Sequence, residues 1–261
     1  MGQLVLSTMR LSVVLFLYVC KFGGKIMFQM RETVRYTEVD ADKNLTWSAL
    51  LDYFQNCSIN HSEELGIGID FLKKENLGWV LASWQIKVNK MPKYMDEIVI
   101  QTWPYDFKAF YGYRNFLITN DKGEHLVEAN SIWVLLDIVA RKPVMDRVDI
   151  LEKYELEDKL DYGDKKRKLK APTKYEEKAP VEVLPFFIDS NGHMNNEKYV
   201  LVGDDYIPEN FCVGELKIEY RKEAMLEDFL YPRVTYNENE IDVVFAAEDG
   251  NVYAILKYLK A

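Results

Sequence analysis

Histidine and cysteine are scarce in this chain, with three of each in 261 residues. Cys20, Cys57 and Cys212 stand far apart, with no Cys-x-x-Cys pair and no histidine at zinc-ligand spacing. That excludes a recognisable structural zinc motif and argues against a disulfide scaffold. No cofactor and no metal are expected, and an odd number of distant thiols fits a reduced, cytoplasmic protein. Excess positive charge is also absent. Lys and Arg number 33 against 42 Asp and Glu, for a formal charge of -9, so no basic balance is available to neutralise nucleic-acid phosphates. Long apolar runs are missing too. Residues 11–20, behind Arg10, resemble the charged and apolar regions of a signal peptide, but fall short of the roughly 20 apolar residues that span a bilayer. No small-x-small cleavage site follows, and Met27 and Met30 offer later starts. Residues 1–29 are therefore expected to be a non-native extension outside the fold, with export or membrane tethering as the alternative and no stable membrane insertion.

What is present is ample core material. Hydrophobic residues make up 48% of the chain, enough for one large domain or two ordinary ones. The 17 tyrosines and 13 phenylalanines lean towards strands, because aromatic side chains suit a pleated, half-buried surface. Residues 33–39 alternate like a strand, and 40–44 read as a polar turn. A helix is expected from Thr46 as N-cap, with Trp47, Leu50, Leu51 and Phe54 on one buried face. His61 falls near its end and reads as a solvated or helix-terminal histidine. Strand-like runs follow at 79–88, 97–103, 111–119 and 129–136, with a hairpin signal at Asn120-Asp121-Lys122-Gly123. His125, just past that turn, is expected to be exposed. One buried helix followed by successive antiparallel strands predicts an α+β fold in which a sheet wraps the helix.

Between 151 and 180 the composition turns to charge, including the basic run Lys165-Lys166-Arg167-Lys168-Leu169-Lys170. This reads as a linker. The run is either solvated or a docking site for an acidic protein.

The remainder repeats the plan of the first half. Placing Asp40 over Asp189, an offset of 149, sets Asp42 over Asn191, Asn44 over His193 and Thr46 over Asn195. An offset of 132 then places Ile86 over Ile218, Val88 over Tyr220 and Asp96 over Asp228. Two halves sharing one plan suggest duplication. The second half differs where His193 replaces Asn44 and Glu223 replaces Met91. Residues 188–199 thus bring a carboxylate, an amide and an imidazole together within five positions. The structural alternative is an Asx-type turn ahead of a helix N-cap.

The segment Asn191-Gly192-His193-Met194-Asn195-Asn196-Glu197-Lys198-Tyr199, followed by Glu219-Tyr220-Arg221-Lys222-Glu223, resembles the plant and bacterial acyl-acyl carrier protein thioesterases. Their patterns are N-x-H-V-N-N-x-K-Y and Y-R-R-E-C. Residues 35–40, 50–55, 84–86, 102–104 and 112–116 are similar to bacterial members, so the likeness covers roughly 30–261. It implies a double hotdog: two curved antiparallel sheets, each wrapping a central helix, with an acyl-binding half at 30–150, the linker at 151–180 and a catalytic half at 181–261. It also implies hydrolysis of the thioester joining a fatty acyl chain to the phosphopantetheine arm of acyl carrier protein. Residues matching Asp189, Asn191, His193 and Glu223 form the catalytic group. Ala224 stands where many plant members carry cysteine, so a cysteine-free mechanism is expected, with either water or a carboxylate attacking.

Thioester hydrolysis also needs an oxyanion donor and a dry groove. The backbone N–H groups of Met194 and Asn195, at a helix start, are the expected oxyanion donors. Trp47, Leu51, Phe54, Trp84 and Ile86 are candidates to line the acyl tunnel, or simply core. An acyl-CoA thioesterase of the same fold, a non-catalytic acyl-binding module and a hydratase-like hotdog enzyme are the competing readings. A monomer or a homodimer both fit a tandem hotdog.

Overall fold

A computed structural model of the chain describes residues 27–145 and 147–261. The first half comprises β1 (Phe28–Thr33), α1 (Trp47–Glu64), α2 (Ile69–Lys74), β2 (Leu77–Val88), β3 (Glu97–Lys108), β4 (Tyr111–Asn120), β5 (His125–Asp137), β6 (Lys142–Pro143) and α3 (Val148–Leu151). The second comprises β7 (Glu176–Glu177), β8 (Val181–Glu182), α4 (Asn196–Asp204), β9 (Val213–Tyr220), β10 (Phe229–Tyr236), β11 (Glu240–Ala246) and β12 (Val252–Lys260).

Two expectations shift at the start of the fold. Phe28 and Gln29 belong to β1, inside the segment expected to lie outside the fold, while residues 1–26 lie outside the described residues. The strand expected at 33–39 ends at Thr33 and gives way to a single 3-10 turn at Tyr36–Glu38. The cause is local. The Arg35 N–H donates to Glu38 Oε2 at 2.8 Å and the Glu38 N–H to the Arg35 carbonyl at 3.1 Å, which closes the chain into a turn.

Helix α1 starts where expected, with Thr46 Oγ1 accepting from the Ala49 N–H at 3.3 Å, a cap worth about 1 kcal/mol. Leu50, Leu51, Phe54 and Cys57 recur at helical spacing and are buried. The ring of Phe54 packs 5.6 Å from Trp84 and 5.0 Å from Phe116. Truncating such a ring to alanine costs about 3–5 kcal/mol.

The strands form one antiparallel sheet in the order β1-β3-β4-β5-β2-β9-β12-β11-β10-β7, with β6 beside β5 and β8 beside β10. Each half curls around its own helix, α1 or α4, and the two helices pack against each other. The half-sheets join edge to edge, Ser83 opposite Glu219 through Lys87 opposite Glu215, so two curved sheets become one continuous sheet. This pairing satisfies two edges that would otherwise expose free N–H and C=O groups. The inner face carries the row Thr102, Phe116, Ala129, Ile86, Leu216 and Tyr258 across six strands, all fully buried.

One residue along, on the opposite face, the row reads Trp103, Asn115, Asn130, Gln85 and Lys217. Its amides are also buried, because the charged linker lies over them. Trp103 Nε1 donates to the Asp158 carbonyl at 2.9 Å, and Asn115 Oδ1 accepts the Leu160 N–H at 2.9 Å. Asn130 Nδ2 donates to the Asp164 carbonyl at 2.8 Å, and Gln85 Nε2 to the Lys166 carbonyl at 3.0 Å. Gly163, at φ +73, sits so close that a Cβ there would lie 2.6 Å from Asn130 Cβ. The expected linker is therefore a strap, while Lys165, Lys166, Lys168 and Lys170 of its basic run are exposed. Buried amides must find partners, and the strap backbone supplies them. Within the basic run, Lys165 pairs with Asp106 and Arg167 lies 5.6 Å over the Tyr111 ring.

Candidate active site

The two offsets seen in the sequence hold bond by bond. In the second half Asp189 Oδ1 accepts the N–H of Asn191 at 2.8 Å and of His193 at 3.4 Å. In the first, Asp40 Oδ1 accepts those of Asp42 and Asn44, both at 2.9 Å. The 3-10 turns Tyr36–Glu38 and Pro185–Phe187 correspond, as do the bridges Val39 to Leu45 and Ile188 to Met194. Each turn passes through a left-handed residue, Lys43 at φ 63 and Gly192 at φ 82.

The turn is then stitched to the segment that follows the next strand. The Met194 N–H donates to the Ala224 carbonyl at 2.9 Å, as the Leu45 N–H donates to that of Pro92 at 2.8 Å. Because His193 precedes Met194 and Glu223 precedes Ala224, this bond brings the two side chains together. His193 Nε2 lies 3.4 Å from Glu223 Oε2, with both side chains about a quarter to a third exposed, at 26% and 31%. Asp189 Oδ2 accepts from Asn191 Nδ2 at 3.3 Å, so this carboxylate orients the amide and the loop backbone. A third group enters from the first half, where Arg141 Nη2 donates to Glu223 Oε2 at 2.6 Å. No local sequence signal marks Arg141, because it reaches the site from the other half of the chain.

Buried and half-buried polar groups lie around the start of α4. The Tyr199 hydroxyl accepts the Ala224 N–H at 3.2 Å, and burial pushes the phenol up. Glu197, next to the helix start, is buried and pushed up by desolvation, while its ion pair with Lys198 at 2.6 Å opposes that shift. Burial also raises Asp52 on α1, with Lys198 opposing. Asn195 Oδ1 is buried without a partner among the described residues.

The expected oxyanion donors are corrected by this geometry. The Met194 N–H is held by Ala224 and the Asn195 N–H donates to the Phe187 carbonyl at 2.8 Å, so neither is free. Helix α4 begins one residue later, at Asn196, and its first-turn N–H groups at Asn196 and Glu197 carry no hydrogen bond among the described residues. Of the tunnel candidates, Leu51, Phe54, Trp84 and Ile86 sit in close-packed core, while Trp47 is half-buried against it.

The other histidines lie elsewhere. His61 is in the last turn of α1 as expected, and is half-buried there. It stacks on Phe28 at 5.2 Å, its Nδ1 takes a hydrogen bond from Arg114 at 3.0 Å, and burial with that guanidinium pushes it down to about 3. His125 is exposed and pairs with Glu128 at 2.8 Å. Burial pushes the Cys57 thiol up, and Cys212 is exposed beside the chain end. Among the described residues, no group of three or more His, Cys, Asp or Glu could hold a metal ion, and no helix is long and apolar enough to cross a membrane.

The profile of the acyl-ACP thioesterase N-terminal domain matches residues 25–154, and that of the acyl-ACP thioesterase C-terminal domain matches residues 170–254. The chain belongs to the acyl-ACP thioesterase family. A palmitoyl-acyl carrier protein thioesterase, chloroplastic, of Gossypium hirsutum is 24% identical over 249 residues, covering 89% of this chain and 60% of that protein. The chain therefore spans less than two thirds of this curated relative. In fold it is similar to a crystal structure of an acyl-ACP thioesterase from Bacteroides thetaiotaomicron, with TM-score 0.82, 23% identity, and coverage of 90% of this chain and 98% of that one. The 12:0-ACP thioesterase from Umbellularia californica gives TM-score 0.78 at 22% identity, covering 90% of this chain and 97% of that one. These likenesses establish the α+β double hotdog for this member of the acyl-ACP thioesterase family.

Proposed function

We propose that this chain hydrolyses the thioester of a fatty acyl group carried on the phosphopantetheine arm of acyl carrier protein, releasing the free fatty acid and ending chain elongation. The carrying observation is the pairing of His193 Nε2 with Glu223 Oε2 at 3.4 Å, beside an Asn191 amide fixed by Asp189. The first half, with Asn44 and Met91 at those positions, has no such pair.

In this reading Glu223 takes a proton from water as its oxygen attacks the thioester carbonyl. Negative charge gathers on the carbonyl oxygen, towards Asn191 Nδ2 and the first-turn N–H groups of Asn196 and Glu197. The tetrahedral intermediate then expels sulfur, and the proton that Glu223 took from water passes through His193 to make it a thiol, leaving both side chains as they began. No cysteine takes part, since Ala224 stands next to Glu223 and Cys57 is buried.

The second half (181–261) carries the chemistry and the first (30–150) receives the acyl chain. That chain approaches at half-buried Trp47, and reaches Leu51, Phe54, Trp84 and Ile86 only as these close-packed side chains part. No cofactor takes part. The free thiols Cys57 and Cys212 support a cytoplasmic setting, and the β2–β9 junction supports a site complete within one chain, whether monomer or homodimer.

The test is thiol release from acyl-acyl carrier protein and acyl-CoA series by the parent, His193→Ala and Glu223→Ala. Each variant should lose at least about 10²-fold in kcat. Undiminished hydrolysis in both would sink the site assignment, and a strong preference for CoA would sink the carrier assignment.

A further inference from the structure

The turn between β5 and β6 is held by several hydrogen bonds. Asp137 Oδ1 accepts the N–H groups of Val139 at 2.9 Å and Ala140 at 2.7 Å, and the Ile138 N–H donates to the Asn76 carbonyl at 2.9 Å. Leu136 and Asp137 then pair with Pro143 and Lys142 across the turn. Arg141 takes a left-handed backbone at φ 53, a conformation that non-glycine residues rarely adopt. Strain of this kind persists where surrounding structure holds it, and often where function uses it. The side chain is 74% exposed, so core packing does not account for its placement. Its guanidinium ends 2.6 Å from Glu223 Oε2, the same oxygen that faces His193 Nε2.

Glu223 Oε1 has no hydrogen bond among the described residues. A third-exposed carboxylate held at one end would otherwise sample several rotamers. With Oε2 taken by both a cation and the imidazole, only Oε1 remains to accept a proton. From this geometry we infer that Arg141 is a positioning residue. It pins Glu223 Oε2 so that Oε1 meets the attacking water, and the first half thereby supplies part of the catalytic geometry of the second. Arginine suits this task because it stays charged at any working pH and offers a planar fork to a carboxylate. The inference rests on the thioesterase reading for its kinetic consequence, while the contact itself can be read without turnover.

The experiment compares the parent with Arg141→Ala, Arg141→Lys and Lys142→Ala, the last a neighbour in the same turn. On an acyl-acyl carrier protein that the parent hydrolyses, Arg141→Ala should lower kcat by on the order of 10²-fold with KM nearly unchanged, since orientation and not binding is lost. Arg141→Lys should recover part of that loss, as should free guanidinium ion added to Arg141→Ala. Guanidinium should do nothing for Glu223→Ala, and Lys142→Ala should match the parent. Independently of activity, carbodiimide-directed amine labelling of Glu223, read by peptide mass spectrometry, should run several-fold faster in Arg141→Ala. Parent-like kcat in Arg141→Ala, or a loss that neither lysine nor guanidinium relieves, would overturn the positioning role. Equal labelling would overturn it even if no thioester proved to be a substrate, a result that would separately refute the proposed function.

Discussion

Replacing Asp189 by alanine, with Asp40→Ala as its internal control, separates what the repeated turn does for the fold from what it does for catalysis. Asp40 accepts two backbone N–H groups at 2.9 Å each. Asp189 accepts one at 2.8 Å, a weaker one at 3.4 Å, and the Asn191 side-chain amide at 3.3 Å. Partly solvated bonds of this type contribute about 0.5–1.5 kcal/mol each. Either substitution should therefore cost about 1–2 kcal/mol, lowering the melting temperature by roughly 2–8 °C in a chain of this size. Activity should diverge. Asp189→Ala frees the Asn191 amide and loosens the His193 backbone, and a displacement of such groups by about 1 Å costs on the order of 10² in kcat. Asp40→Ala should leave kcat within about twofold of the parent, since its loop carries Asn44 and no imidazole. Asp189→Asn keeps an oxygen for the two backbone donors but opposes one amide N–H to another, so it should lose activity with little loss of stability. Denaturant unfolding and thiol-release kinetics on all three variants check this. Equal kinetic damage from Asp40→Ala and Asp189→Ala would refute the asymmetry between the halves.

Two further outcomes concern the strap and a half-buried acid. Glu219 Oε2 accepts the Leu169 N–H at 2.7 Å and Arg221 Nη2 at 2.8 Å, so Glu219→Ala should release the end of the strap and speed tryptic cleavage at Lys165 to Lys170; unchanged cleavage would contradict the clamp. Asp204 is raised by burial from 3.8 to about 7, although the Tyr258 hydroxyl donates to it at 3.0 Å and opposes the shift. With the folded value above the unfolded one, its contribution is fully present below about pH 4 and is lost as pH rises through 7, at no more than about 1.4 kcal/mol per pH unit. The stability of the parent minus that of Asp204→Asn should fall across that window in urea titrations, and a flat difference would contradict the burial argument.

Features that depend on near neighbours in the chain were legible from residues alone. The Thr46 cap, the buried face of α1, the hairpin at 120–123 and the duplicated Asx turns all rest on bonds between residues a few positions apart, so composition and spacing encode them directly. The same locality explains why Asp189, Asn191 and His193 stood out together. The 3-10 turn at Tyr36–Glu38 is not legible in the sequence, because its capping bond depends on a glutamate within an alternating pattern that reads equally well as strand.

Residue order alone carries the α+β class, the duplication with its two offsets, and the asymmetry in which only the second half has His193 and Glu223 at the matching positions. Which hydrogen-bonding groups remain free depends on the closed fold. The Ala224 and Phe187 carbonyls occupy the N–H groups expected to serve the oxyanion, and the strap satisfies the buried amides of the outer face. The β2–β9 pairing fuses the two sheets, and Arg141 crosses from one half to the other. Each of these contacts joins residues distant in the chain, so it exists only once strand order and register have closed the fold, and no local pattern specifies it.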